Sequence, residues 1–314
     1  MKVLVTGGSG FIGSHVVDRL MSYGIQVRIY DMVFPTFRKD VEYYQGSLLD
    51  LMALRMAMNG ISAIFHLAAV ADVKDVFNEP HYAESINVRG TINVLEAARL
   101  GKVPRVIYGS TTWVYSDAKE NEVDEGTALH APSHLYTATK LTGEYYCQSY
   151  AKLYGMESVI FRYGIPYGPR ARSGAVVPIF VDKALRGEPI TIAGDGSQFR
   201  RFVYVEDLAE GNALGLKPLA KNNIYNLDGS ETITIKQIAE TVKGLLGDVK
   251  IEYVPARPGD FGGKIVDSSK AKKELGWEPR VRFEEGVRRY IDWLKADRKG
   301  RESVRSAISP VLLS

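Results

Sequence analysis

The chain opens Val3-Leu4-Val5-Thr6-Gly7-Gly8-Ser9-Gly10-Phe11-Ile12-Gly13, and this stretch constrains the fold more than any other. A short β-branched run stops at a glycine cluster, and a helical pattern from Ser14 to Leu20 follows directly. This reads as strand, tight turn and helix. Gly7, Gly10 and Gly13 allow positive φ and a close approach to a helix N-terminus, where free N–H groups and the helix dipole favour an anion. The ligand implied is a dinucleotide pyrophosphate. The spacing is G-x-x-G-x-x-G and not the commoner G-x-G-x-x-G, so the loop alone also fits an ordinary βα turn. Asp31 narrows the choice. It ends a second apolar strand, Val27–Tyr30, about 20 residues beyond the loop, where a carboxylate holds an adenosine ribose 2′-OH and repels a 2′-phosphate. NAD is therefore expected over NADP, although Arg28, Arg38 and Lys39 lie nearby in sequence.

Composition removes several other classes of protein. With 314 residues, 45% hydrophobic and 25% charged, the chain has the makings of a real core and of one large or two smaller domains. Forty Lys and Arg against 37 Asp and Glu leave a formal charge of +3, too balanced for a nucleic-acid surface. A single cysteine, Cys147, rules out an internal disulfide and a cysteine-based metal cluster and points to an intracellular protein. His130 and His134 have a metal-like spacing, but Pro132 between them favours a loop, so no metal is expected. No apolar run resembles a signal peptide or a membrane helix, which makes a cytoplasmic location the expectation.

Strand-like runs at Val3–Thr6, Val27–Tyr30, Val41–Tyr44, Ala63–Leu67, Arg105–Tyr108 and Ser158–Arg162 alternate with helical segments at Ala53–Met58, Ser85–Ala98 and Tyr136–Tyr154. Such alternation predicts an α/β fold, a doubly wound parallel sheet with helices on both faces. The last two helices are apolar on more than one side, which suits either burial in one subunit or packing on a second. After Arg162 the pattern breaks at Gly164, Pro166, Gly168 and Pro169. Beyond it the sequence predicts a helix at Val177–Arg186, a strand pair around Pro189–Ile192 and Arg201–Tyr204, helices at Val205–Leu216 and Ile235–Leu246, an extended piece at Lys250–Val254 and an amphipathic helix at Phe283–Ala296. No linker separates the two regions, so a smaller α/β substrate domain interleaved with the first is expected. The division is 1–165 with a return segment near 202–230, then 166–201 with 231–298, and 299–314 as a basic and then apolar tail.

Ligands of parallel α/β sheets bind beyond the carboxyl ends of the strands. The strand at Arg105–Tyr108 runs into Gly109-Ser110-Thr111-Thr112, which puts hydroxyls at that edge. Downstream, Tyr136 and Lys140 stand four apart, on one face of a helix. A free phenol is ionised in only about one molecule in a thousand at neutral pH. A nearby ammonium and a positive nicotinamide ring would lower its pKa and make a general base for a sugar or alcohol hydroxyl. Thr111 would hold the same substrate oxygen.

The glycine loop, His66-Leu67-Ala68-Ala69, Asn87-Val88-Arg89-Gly90-Thr91, Thr111 and Tyr136 with Lys140 resemble the extended short-chain dehydrogenase/reductase superfamily. Gly194-Asp195-Gly196-Ser197-Gln198, the run Arg200–Leu208, Arg257-Pro258-Gly259-Asp260 and Leu275-Gly276-Trp277-Glu278-Pro279 resemble its nucleotide-sugar epimerases and dehydratases. The resemblance runs to about residue 296. It implies a Rossmann-type fold, tightly held NAD, a nucleotide-sugar substrate and a homodimer built on the two long helices. Gly7, Gly10, Phe11, Ile12, Gly13, Asp31, Asp50, Leu51, Leu67, Ala68, Ala69, Asn87, Tyr136, Lys140 and Tyr163 match cofactor-side positions. Thr111, Thr112, Tyr136, Val177, Arg200 and Arg257 match substrate-side positions, with the two arginines toward the diphosphate. Surface pairing with Asp207 or Asp260 is the other reading of those arginines.

The activity implied is 4-epimerisation, with UDP-glucose and UDP-galactose as the family default. The sugar is oxidised at C4 with Tyr136 as base, and hydride returns to the other face. Related dehydratases and decarboxylases place an acid after the catalytic Thr, where this chain has Thr112 and Trp113. Trp113 suits either stacking on a sugar or the core. Ile165 stands where relatives commonly carry Asn, and Lys264 stands at the position beside the sugar. The alternative activity is an NAD(P)H-dependent 4-ketoreductase acting on a nucleotide deoxysugar. A non-catalytic NAD-sensing regulator is disfavoured by the intact Thr111, Tyr136 and Lys140.

Overall fold

The computed structural model describes residues 1–255 and 263–308, with side chains to residue 299. The strands are β1 (Lys2–Thr6), β2 (Gln26–Asp31), β3 (Glu42–Gln45), β4 (Ala63–His66), β5 (Arg105–Thr111), β6 (Glu122–Val123), β7 (Glu157–Tyr163), β8 (Ile165–Tyr167), β9 (Ile190–Ala193), β10 (Phe199–Tyr204), β11 (Asn223–Leu227), β12 (Thr232–Thr234), β13 (Ile251–Val254) and β14 (Ile265–Val266). The α-helices are α1 (Phe11–Ser22), α2 (Leu51–Ala57), α3 (Val73–Asn78), α4 (Pro80–Glu84), α5 (Gly90–Leu100), α6 (Leu135–Tyr154), α7 (Val176–Leu185), α8 (Val205–Leu214), α9 (Ile235–Leu246) and α10 (Phe283–Ile308).

Seven strands form the main sheet in the order β11-β7-β5-β4-β1-β2-β3, every neighbouring pair parallel. β1 is wholly apolar at Val3, Leu4 and Val5, each fully buried, because a strand covered by helices on both faces has no solvent side. One layer packs Val16, Val17 and Leu20 of α1 with Leu208, Ala209 and Ala213 of α8. The opposite layer packs Leu54, Val94, Leu95 and Cys147. This is the doubly wound Rossmann-type arrangement expected from the alternation of elements.

The chain leaves this sheet after β7 and returns to it at β11, so the smaller sheets are interleaved with the large one. β10 pairs with β8 in parallel and with β12 antiparallel, while β9 pairs with β13. The expected pairing of 189–192 with 201–204 is thus corrected. Residues 194–198 form a turn that carries the chain from one small sheet to another, and partners remote in sequence satisfy each strand. A separate core of Tyr167, Phe180, Phe202, Ile238, Val287 and Tyr290 fills this region.

Two further expectations change. The helix expected at 85–98 starts as a π-helical turn over Ser85–Arg89 before α5. The last helix runs past the expected limit at Ala296 to Ile308, so the expected tail at 299–314 begins inside a helix. Residues 309–314 of that tail lie outside the described residues.

Candidate active site

The parallel sheet gathers the expected cofactor residues at one edge. Gly7 follows β1, Asp31 ends β2, Leu67, Ala68 and Ala69 follow β4, Thr111 ends β5 and Tyr163 ends β7. Gly7 has φ +72° and lies so close to Ala68 that a Cβ would come within 2.7 Å of its amide nitrogen. At Gly13 a Cβ would meet the Gly7 carbonyl oxygen at 2.0 Å, so the loop closes on α1 only with glycine there. Gly10 begins α1 with no side chain capping the helix, and Phe11 and Ile12 in its first turn are partly exposed. The first-turn N–H groups therefore face a loop that has no bulk to keep a phosphate away. Asp31 Oδ2 accepts from Ser9 N–H at 3.0 Å and Oδ1 from Val33 N–H at 3.1 Å. Both oxygens keep lone pairs for a ribose diol. These residues fit a dinucleotide.

Other cofactor-side residues serve the scaffold. Asp50 caps α2 by accepting from Ala53 N–H at 2.9 Å, with Leu51 as the first helical residue. Asn87, inside the π turn, accepts from Val70 N–H and donates to Val70 O and Thr139 Oγ1. Its amide thus ties the loop after β4 to α6. Tyr163 donates to Asn212 Oδ1 at 2.5 Å and packs where Gly109 leaves room.

Thr111 and Tyr136 come together as expected. Thr111 is the last residue of β5, and its Oγ1 also accepts from Trp113 N–H at 3.2 Å. The Thr111 hydroxyl stands beside the Tyr136 phenol and favours its ionised form. Lys140, one turn along α6, is 5% exposed and holds its Nζ 4.7 Å from the Tyr108 ring centroid. Burial pulls the Lys140 pKa down to about 8, with Cys147 and Glu144 opposing. Burial is also the largest influence on Tyr136 and pushes it up to about 12, while Arg172 and the Thr111 hydroxyl pull it down.

Beneath these groups runs a buried polar network that the sequence reading missed. Glu144 accepts from Ser110 Oγ at 2.5 Å and from Arg162 Nε and Nη2 at 3.0 and 2.7 Å. Arg162 Nη1 donates to Tyr115 Oη, which donates to Asn226 Oδ1. The chain of bonds fixes β5, α6, β7 and β11 relative to one another. His66, between Thr6 Oγ1 at 2.8 Å and Thr91 Oγ1 at 3.0 Å, is pushed down to about 3 by burial and then by Lys140. It is a neutral strut. The available signal was a charge inside an otherwise apolar stretch, as at Glu144 and Arg162.

A cleft of about 430 Å³ opens beside Thr111, walled by Thr112, Trp113, Ile165, Arg200, Arg201, Asp228 and Lys264. Trp113 packs edgewise on His134, ring centroids 5.4 Å apart, and still contributes to the wall. Lys264 Nζ donates to Ala118 O and Glu120 O, each at 2.8 Å. Arg200 projects from β10 beside the cleft, whereas Asp207, its expected surface partner, accepts from Arg280 and Val281 N–H groups. Val177 is not on this wall. It is 1% exposed within the core of the small sheets, because the 177-180-181 face of α7 turns inward. Arg257 and Asp260 lie outside the described residues. Asp228, just past β11, is the acid that the sequence reading overlooked. Among the described residues no group of His, Cys, Asp and Glu could hold a metal ion, and no helix is long and apolar enough to cross a membrane.

Comparisons with known proteins agree with this geometry. Residues 3–228 match the model of the NAD dependent epimerase/dehydratase family. A putative UDP-glucose 4-epimerase of Methanocaldococcus jannaschii is 33% identical, over 93% of this chain and 98% of its own length. A UDP-glucuronate 4-epimerase of Thermodesulfobacterium geofontis is 33% identical, over 93% and 95% respectively. The crystal structure of UDP-glucose 4-epimerase with UDP-glucose from Thermotoga maritima superposes with a TM-score of 0.89 at 33% identity, covering 95% of this chain and 99% of that one. The extent of the match and the glycine loop at its start agree: the chain is an enzyme of the NAD dependent epimerase/dehydratase family, with NAD as its cofactor.

Proposed function

We propose that the protein is a nucleotide-sugar 4-epimerase and that UDP-glucose and UDP-galactose are its substrate pair. The observation that carries the reading is the placing of the Thr111 hydroxyl beside the Tyr136 phenol at the sheet edge, next to a cleft where the residues following Thr111, Thr112 and Trp113, offer no acid or base. Such a site suits removal and return of hydrogen at one carbon. Relatives named for both UDP-glucose and UDP-glucuronate epimerisation support the reaction class, and the Thermotoga maritima complex supports glucose as the sugar.

In this reading Tyr136 takes the proton of the sugar 4-OH and later returns it. Thr111 holds the same oxygen, and Lys140 keeps a positive charge one helical turn away. When bound, NAD would supply a hydride acceptor and donor for C4, and the charge of its oxidised ring would favour the phenolate. Gly7, Gly10, Phe11, Ile12 and Gly13 shape the pyrophosphate side, and Asp31 takes the adenosine ribose. Asp50 and Leu51 match the adenine side and Tyr163 the nicotinamide side, with Leu67–Ala69 and Asn87 also serving the cofactor. Arg200 and Arg257 hold the substrate diphosphate through guanidinium forks.

The exposed apolar side chains Tyr145, Leu153 and Tyr154 on α6 and Leu100 on α5 suit a contact with a second copy of the chain. A monomer mass in sedimentation equilibrium would contradict that assignment. For the activity, purified enzyme incubated with UDP-glucose and no added cofactor should form UDP-galactose. Consumption of one NAD(P)H per product, with a 4-keto deoxysugar nucleotide as substrate, would mark a ketoreductase instead.

A further inference from the structure

Asp228 lies at the carboxyl edge of the main sheet, immediately after β11, and is 3% exposed. It shares the cleft wall with Thr112, Trp113, Arg201 and Lys264, and the first two directly follow Thr111 in sequence. Its Oδ1 accepts from Gly229 N–H at 2.9 Å. Gly164 packs against the same oxygen so tightly that no side chain fits at 164. Among the described residues, Oδ2 accepts no hydrogen bond. On the same wall Arg201 donates from Nη1 to Val266 O at 2.7 Å and from Nη2 to Ser230 O at 3.1 Å, while its Nε is buried and, among the described residues, without a partner. The cleft wall therefore carries one acceptor without a partner among the described residues, Asp228 Oδ2, built into the scaffold beside the buried Arg201 Nε. Buried polar groups of this kind are costly unless a ligand completes them.

We propose that Asp228 is a sugar-contact residue that accepts a hydrogen bond from a hydroxyl or amide N–H through Oδ2 and selects uncharged sugars over uronates. The inference rests on the reading of the cleft as the nucleotide-sugar site. A uronate carboxylate brought beside Asp228 meets a second carboxyl in a partly dry site, and one of the two must take up a proton or repel the other. Clamping that carboxylate needs a guanidinium or ammonium with free donors. Both Nη atoms of Arg201 donate to main-chain carbonyls and its Nε is buried, and Lys264 Nζ gives two of its three hydrogens to such carbonyls. Arg200 is assigned to the diphosphate, so among the described residues the wall offers a carboxylate no accessible guanidinium fork. A neutral hydroxyl or amide meets no such conflict. Burial also raises the Asp228 pKa to about 7, against the opposing pulls of Gly229 N–H and Arg201, in keeping with a carboxyl that a second anion would disturb.

The test is calorimetric titration of the NAD-loaded protein with UDP, UDP-glucose and UDP-glucuronate. Wild type should bind UDP-glucose about tenfold or more tightly than UDP-glucuronate. Asp228→Asn keeps the shape and an acceptor but removes the charge, and should narrow that ratio to about threefold, mainly by tightening UDP-glucuronate. Asp228→Leu should weaken UDP-glucose about five- to twentyfold and leave UDP unchanged. An unchanged ratio in Asp228→Asn, equal weakening of UDP itself, or a wild-type preference for UDP-glucuronate would each overturn the proposal. So would release of water or carbon dioxide from the sugar by wild type and not by Asp228→Asn, since Asp228 would then be a catalytic acid. Failure of wild type to bind UDP at all would instead reject the nucleotide-sugar reading on which the proposal stands.

Discussion

Tyr136 meets opposing demands. As the proposed base it must ionise near neutral pH, yet burial outweighs the pull of Arg172 and Thr111 and holds its phenol at about 12. Tyr136→Phe should retain NAD and UDP-glucose binding while kcat falls by about 10²- to 10⁴-fold, the usual worth of a general base. Asp31 makes the cofactor choice testable: direct titration should show NADH bound more tightly than NADPH, and Asp31→Ala should narrow the difference. Asp228 has a consequence for stability. Its carboxyl rises from 3.8 to about 7 on folding, so the folded state binds that proton more tightly than the unfolded one. The stabilisation is complete below the unfolded value and is lost as pH rises through the folded value. Thermal melts of wild type, referenced to Asp228→Asn, should therefore lose ground between about pH 4 and pH 8. The glycine loop, Asp31 and the Tyr136–Lys140 spacing were legible because each signal is local in sequence. Asp228 and Arg172 act on groups remote in sequence, and nothing beside them in the chain discloses it.

Between elements, the pairing of Glu144 on α6 with Arg162 on β7, and the bond of Glu144 to Ser110, keep α6 in register with the edge of β5. Both side chains are almost fully buried, at 1% and 3% exposure. Glu144→Ala leaves a buried guanidinium without its carboxylate and should cost about 3–5 kcal/mol in urea unfolding. The main strands were legible because each is a short apolar run closed by a turn. Strand pairing was not. β9 and β10 follow one another closely, yet each finds its partner elsewhere, because β8, β12 and β13 are short and carry little pattern of their own. The π turn at 85–89 was also hidden, since Asn87 within it bonds Val70 and Thr139, partners remote in sequence.

At the level of the whole molecule, one parallel sheet brings the ends of β1, β2, β4, β5, β7 and β11 to a common edge, where the proposed cofactor and substrate residues from distant parts of the chain meet. That convergence follows from the alternation of strands and helices, so the location of the site was legible along with the fold. The cleft beside Thr111 was less so: Ile165 and Lys264 reach its wall, whereas Val177 turns into a core. The central claim is that hydrogen leaves C4 of the sugar and returns to the same carbon. UDP-glucose carrying deuterium at C4, incubated with the enzyme in ordinary water without added cofactor, tests this directly by mass and proton magnetic resonance spectra of the product. UDP-galactose retaining deuterium at C4 is the result predicted, and exchange of that deuterium with solvent or its transfer to free NAD would contradict the account.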